Sequence, residues 1–151
     1  MAMELNKFGI TPEAGDGVYA PQPARTFKVA SAVSSAFGPT TVLKLAGQAS
    51  SGLPVVTPIT ATTDKPYCVA ATSLRGNSFI GGDKIKAWVS DEVVWMKASA
   101  AITQGAKVTA AVNGTVSAVS DDEVVLGVAE SSAAAANDLV AVRITAPYAV
   151  L

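Results

Sequence analysis

The chain has 151 residues, with 11 Lys and Arg against 12 Asp and Glu, so its net charge is −1. That length suits one domain, and that balance gives no electrostatic excess for nucleic acid or an anionic membrane surface. Half the residues are hydrophobic but only 6% are aromatic; the apolar fraction is mostly Ala and Val, which suits short, closely packed strands. Histidine is absent and Cys68 is the one cysteine, which excludes Ser-His-Asp and Cys-His relays, His-ligated metals, intrachain disulfides and multi-cysteine clusters.

Residues 1–25 are punctuated by Gly9, Pro12, Gly15, Gly17, Pro21 and Pro23, with scattered anchors at Leu5, Phe8, Ile10, Val18 and Tyr19. Pro and Gly at this density resist both helix and ladder. The stretch therefore reads as an extended arm, or a disordered tail, whose Phe8, Ile10 and Tyr19 would order in apolar sockets on another chain. The first ten residues carry no cationic region followed by an apolar run, and no stretch of about 18 apolar residues occurs anywhere. Intracellular synthesis and no membrane contact are the expectations.

From residue 26 to 151 the pattern is that of a single β-rich domain. Period-2 alternation predicts strands over 27–33, 41–45, 67–72, 83–89 and 92–97. The segment 53–63 is rich in β-branched residues, but Pro54 and Pro58 assign it to an edge or an irregular strand. Ser90-Asp91 reads as the turn of a hairpin that would carry Trp88 and Trp95 on its two strands. Each tryptophan is then a core residue, a subunit-interface plug or a sugar platform.

Further along, Asn113-Gly114 between alternating runs predicts a type I′ hairpin joining strands 106–112 and 115–119. A charged loop, Asp121-Asp122-Glu123, precedes a strand over 124–129. Ser131 to Ala136 reads as a short helical turn because of its alanine run, and 139–144 forms the last strand. About nine short strands with regular turn signals imply an all-β sandwich or barrel.

An internal echo lies inside this pattern. Cys68-Val69-Ala70-Ala71-Thr72-Ser73 followed by Gly82-Asp83-Lys84-Ile85-Lys86-Ala87-Trp88 parallels Gly127-Val128-Ala129-Glu130-Ser131-Ser132 followed by Asn137-Asp138-Leu139-Val140-Ala141-Val142. In each, a small-apolar strand ends in hydroxyl residues and an Asp opens the next strand, where its carboxylate suits a turn-forming bond to nearby backbone N–H groups.

Chemistry is not signalled. There is no phosphate loop and no nucleophile elbow, and Asp121-Asp122-Glu123 lacks the spacing of a Ca²⁺ loop and reads as solvated. Cys68, in an apolar strand, reads as a small buried hydrophobe. The expectation is a non-enzyme with no catalytic residue, no metal and no cofactor.

The order Ala101 to Ala106 (AITQGA), strand, Asn113-Gly114, Val125 to Ala129 (VLGVA), alanine-rich loop and Asn137 to Ile144 (NDLVAVRI) resembles the capsid decoration, or cement, proteins of tailed bacteriophages. The resemblance spans about residues 92–145, with a weaker echo over 66–89, and departs from the family's pattern at Asn137, where Gly is usual. It implies a homotrimer in the virion, on the outer surface of the expanded capsid, made in the host cytoplasm and clamping neighbouring major capsid subunits. Two alternatives stay open: another virion part such as a tail-tube or head-fibre subunit, and a β-sandwich carbohydrate-binding module using Trp88, Trp95 or Tyr67.

Overall fold

The computed structural model describes residues 12–20 and 22–147. Those residues form ten strands and no helix: β1 (Arg25–Val29), β2 (Val42–Gln48), β3 (Pro54–Pro58), β4 (Cys68–Ala70), β5 (Lys84–Trp88), β6 (Val93–Lys97), β7 (Lys107–Ala110), β8 (Val116–Ala118), β9 (Gly127–Ala129) and β10 (Leu139–Ile144). The fold is all-β, as the alternation implies. The first five strands close into a barrel of order β1-β3-β2-β4-β5, and the last five form a sheet of order β6-β10-β9-β7-β8.

These two sheets are one diagram drawn twice. In the first, β1 runs antiparallel to β5 from Arg25↔Ala87 to Lys28↔Lys84. In the second, β6 runs antiparallel to β10, with Val94↔Val142 and Lys97↔Leu139 at the matching places. The correspondence this sets, Ala87 with Val142, holds on the next strand, where Ala70↔Ala87 matches Ala129↔Val142. It holds again in Leu43↔Cys68 and Val108↔Gly127. The parallel contact that closes the barrel, Val29↔Val56, has its counterpart in the bridge Ala98↔Val116.

Bonds outside the ladders repeat too. Thr40 N donates to Ala70 O at 2.9 Å, and Gly105 N to Ala129 O at 2.8 Å. Thr40 and Gly105 both have positive φ, as do Gly82 and Asn137. Asp83 Oδ2 accepts from Ile80 N at 2.9 Å, while Asp138 Oδ2 accepts from Ala134 N and Ala135 N at 3.1 Å. The echo read from sequence is therefore part of a structural repeat, matched position for position along the ladders.

The first sheet is a closed barrel and the second is drawn into a barrel-like shape by the single Ala98–Val116 bridge; each is filled by its inward positions. Phe27, Val29, Leu43, Val56, Ile85 and Ala87 fill the first, and Met96, Ala98, Val108, Val116, Val140 and Val142 the second, all buried. Between the barrels, Val42, Val69 and Trp88 point outward from the first and join the second barrel's core cluster. Residues 15–18 complete the joint as an extra strand on β6. Gly15 N donates to Trp95 O at 2.7 Å, Trp95 N to Asp16 O at 2.9 Å, and Val18 N to Val93 O at 3.0 Å. Trp88 Nε1 donates to Gly15 O at 2.9 Å.

Four local expectations are corrected. Strands β5 and β6 do not form a hairpin about Ser90-Asp91, since β5 pairs with β1 and β4 while β6 pairs with β10; the turn passes the chain from one barrel to the next. The Asn113-Gly114 loop is not type I′. Only Gly114 takes positive φ (+86°), and its N–H bonds Ala111 O at 3.0 Å, the geometry of a three-residue loop with a glycine bulge. Asn113 instead spends its Oδ1 on Thr115 N and Oγ1. The alanine run is not helical: Ile102 and Ala133 exchange backbone bonds at 2.9 Å each, and Ala135 to Asp138 forms a turn in which Asp138 N donates to Ala135 O. And β3 is not an edge strand but lies inside the barrel, paired on both sides, although its ladder with β2 is irregular at Leu45–Gly47: its prolines sit at its two ends, while Val55 and Val56 make the contact with β1.

Two expected outcomes follow from this packing. A Cβ on Gly17 would run into the Trp88 ring and the Ala20 carbonyl, so Gly17→Ala is expected to cost roughly 1–3 kcal/mol. Chemical denaturation would register the loss, and tryptophan emission would shift to the red as the seam opens around Trp88. The second concerns acid. Asp64 Oδ2 accepts from Thr60 N at 2.7 Å and Lys44 Nζ at 3.0 Å, and these bonds, the backbone one foremost, lower its pKa from 3.8 to about 2. A lowered carboxylate pKa supplies stability that is present above the unfolded-chain value and lost as pH falls through the folded one. Asp64→Asn should therefore be less stable than the parent at neutral pH, with the difference vanishing as pH falls from about 4 to about 2; thermal melts across that range measure it.

Candidate functional site

The aromatic residues singled out by sequence divide by burial. Trp88 is 1% exposed and Trp95 6%. Trp88 is the seam residue just described. Trp95 packs with Val93 and Ala141 on the outer face of β6 and β10, against the half-buried Val18 and Leu139. Its Nε1 is buried and has no hydrogen-bond partner among the described residues, a cost that polar atoms in folded proteins seldom bear. Tyr67 is half-buried against Phe27, the rings 5.9 Å apart and edge-on. Neither tryptophan offers the open ring face that a sugar would stack on.

Of the arm residues, Phe8 and Ile10 lie outside the described residues. Tyr19 is 71% exposed, and its hydroxyl donates to Glu130 Oε1 at 3.5 Å. Glu130 also holds Arg143, its Oε2 lying 2.6 Å from Nε. This exposed pair fixes orientation more than it stabilises. The arm between residues 15 and 18 lies along its own β6.

Among the described residues, no group of three or more Cys, Asp or Glu side chains is placed to hold a metal ion. Cys68 is fully buried, and burial pushes its thiol above the usual range, so it is a poor nucleophile.

Two charged features stand apart from the shared ladder. Over the outer face of β1 and β5 lies a groove of about 610 Å³, with Thr26, Lys84 and Lys86 on its floor and Arg75 and Asn77 on its wall. Asp16 lies on the facing wall, where its carboxylate accepts from Thr72 Oγ1 at 2.7 Å and from Glu13 N at 3.0 Å. The second feature is the β8–β9 connection. Glu123 Oε1 is tied to Ser120 N and Oγ, which hold its carboxyl below the usual range. Asp121 and Asp122 are exposed at the tip, Asp122 with φ of +67°. Sequence reading treated this loop as merely solvated and passed over the lysines, although the alternation of 83–89 places Lys84 and Lys86 together on one outward face.

No protein-family model and no curated protein sequence matches this chain. Among solved structures, the N base of head fibre gp8.5 of bacteriophage phi29 is similar, with a TM-score of 0.55 and 20% identity over 80% of this chain and 91% of that one. At that identity the likeness is one of fold: this chain shares the all-β architecture of a phage head-fibre base.

Proposed function

We propose that this chain is a non-enzymatic structural protein of a phage head, seated on the outer surface of the capsid. The observation that carries the reading is the fold shared with a phage head-fibre base across nearly all of that base. The succession of short motifs over residues 92–145, which resembles capsid decoration proteins, supports it from the sequence side. So does the composition: few charges and many small apolar residues suit broad interfaces, whose centres are depleted in charge.

Within that reading the chain self-associates as a homotrimer, binds major capsid subunits and clamps neighbours together. Several weak contacts per assembly then act through effective concentration, and selective binding stabilises the expanded head by mass action. Phe8, Ile10 and Tyr19 are the proposed capsid contacts of the arm. A second reading, that the chain is the base of a head fibre, is favoured by the same structural likeness. It shares the outer-surface location but requires no clamping.

Co-sedimentation with expanded, undecorated heads of the cognate phage tests both. Saturable pelleting at a fixed number of copies per capsid subunit is expected; no pelleting of a folded protein would sink both readings. Decoration raises the heads' melting temperature, whereas a fibre base leaves it unchanged. Removal of residues 1–11, stopping short of the segment that pairs with β6, should leave the fold intact and weaken head binding at least about tenfold, a loss of about 1.4 kcal/mol. Undiminished binding by the truncated chain would remove the arm from the interface.

A further inference from the structure

Two barrels with one ladder have acquired opposite surfaces. At matched positions the first carries Thr26, Lys84 and Lys86 where the second carries Trp95, Leu139 and Ala141. The β4–β5 connection is also longer than its β9–β10 counterpart, running from Ala71 to Asp83 against Glu130 to Asp138, and the longer loop brings Arg75 to the groove. The first barrel has thereby become the cationic one.

The acidic feature is confined to the second barrel. In the β3–β4 connection of the first, Asp64 is consumed by Thr60 and Lys44. In the matching β8–β9 connection, Asp121 and Asp122 accept no hydrogen bond among the described residues and stand exposed. That connection leans on the first barrel through Val124 N, which donates to Thr62 O at 3.2 Å. Thr62 belongs to the β3–β4 connection, which crosses β2, whereas the groove lies over β5 and β1. Tip and groove therefore occupy different sides of the first barrel, so a tip that reaches a groove has to reach that of another copy.

We propose that Asp121 and Asp122 of one copy seat in the Lys84–Lys86–Arg75 groove of the next, joining copies head to tail. The inference rests on the self-association proposed above and names its interface. Such a contact uses two different patches, so it closes into a ring when the rotation between copies allows and otherwise extends as a filament. Opposite charges on the two patches fix the register and disfavour tip-to-tip and groove-to-groove pairing.

Charge reversal tests it with the full chain, read by sedimentation velocity. Lys84→Glu with Lys86→Glu should shift the association midpoint at least about tenfold toward monomer, as should Asp121→Lys with Asp122→Lys. The chain carrying all four reversals should recover the parent's assembly, and the parent's association should weaken as salt rises to about 0.5 M. All four positions are exposed, and circular dichroism confirms that each variant is folded. A parent that stays monomeric at micromolar concentration overturns the proposal, as do reversals that leave its assembly unchanged or four reversals that fail to restore it. Head pelleting is scored separately: rings that form but do not pellet would defeat the capsid reading and leave this interface standing.

Discussion

The molecule turns on the placement of Trp88. Its indole leaves the first barrel on the outward side of β5, where a side chain would ordinarily meet water, and is instead 1% exposed. The Nε1–H is satisfied by Gly15 O at 2.9 Å, and the ring edge lies against Gly17, where no Cβ would fit. Because residues 15–18 also hydrogen-bond to Val93 and Trp95 on β6, one short segment serves both barrels. Apolar burial of an indole and the backbone ladder of an added strand reinforce each other here, since releasing the segment would expose the ring and strip β6 of its partner at once.

That joint explains how two copies of one barrel make one body. At the positions of Val42 and Trp88 the second barrel carries Lys107 and Arg143. An apolar outer face can be stable only where something covers it, and in the first barrel the second barrel is the cover. The same face on the second barrel is charged, as the end of a repeat array needs to be if the array is to stop. Inside, the two differ more freely. Phe27 and Leu43 are answered by Met96 and Val108, so each interior reaches close packing with different side chains while the hydrogen-bond diagram stays fixed.

This division sets what was legible in the sequence. Alternation within strands is a local property, so the all-β class and most strand positions could be read, and the echo around Asp83 and Asp138 was aligned correctly because both residues do the same backbone-bonding work. The rest of the repeat was hidden: interior volumes differ, loop lengths differ, and the outer faces answer to different surroundings. Ser90-Asp91 shows the limit most plainly. Two alternating strands around a turn look alike whether they pair with each other or leave for separate sheets, and the deciding bonds, β1 to β5 and β6 to β10, are far away in sequence. The groove fell outside reach for the same reason, since Thr26, Arg75 and Lys84 meet only once the barrel closes.

The repeat also bears on how such a chain could acquire partners. The first barrel is closed, and the free edge of β6 in the second is already taken by residues 15–18 of the same chain, so association runs through side chains on outer faces and through loops. Two linked copies can change those faces independently, because the ladder that holds each one is made of backbone. In this chain one outer face gained lysines over β5 while its twin kept Leu139 and Ala141 beneath the arm. One connecting loop kept its aspartate for internal bonds through Thr60, while its twin turned two aspartates outward. A single barrel assembling with itself would have to carry both charge signs on one small surface. Here the repeated ladder places the lysines on the first barrel and the exposed aspartate pair on the second, and the acid in the groove comes only from Glu13 and Asp16 of the segment before β1.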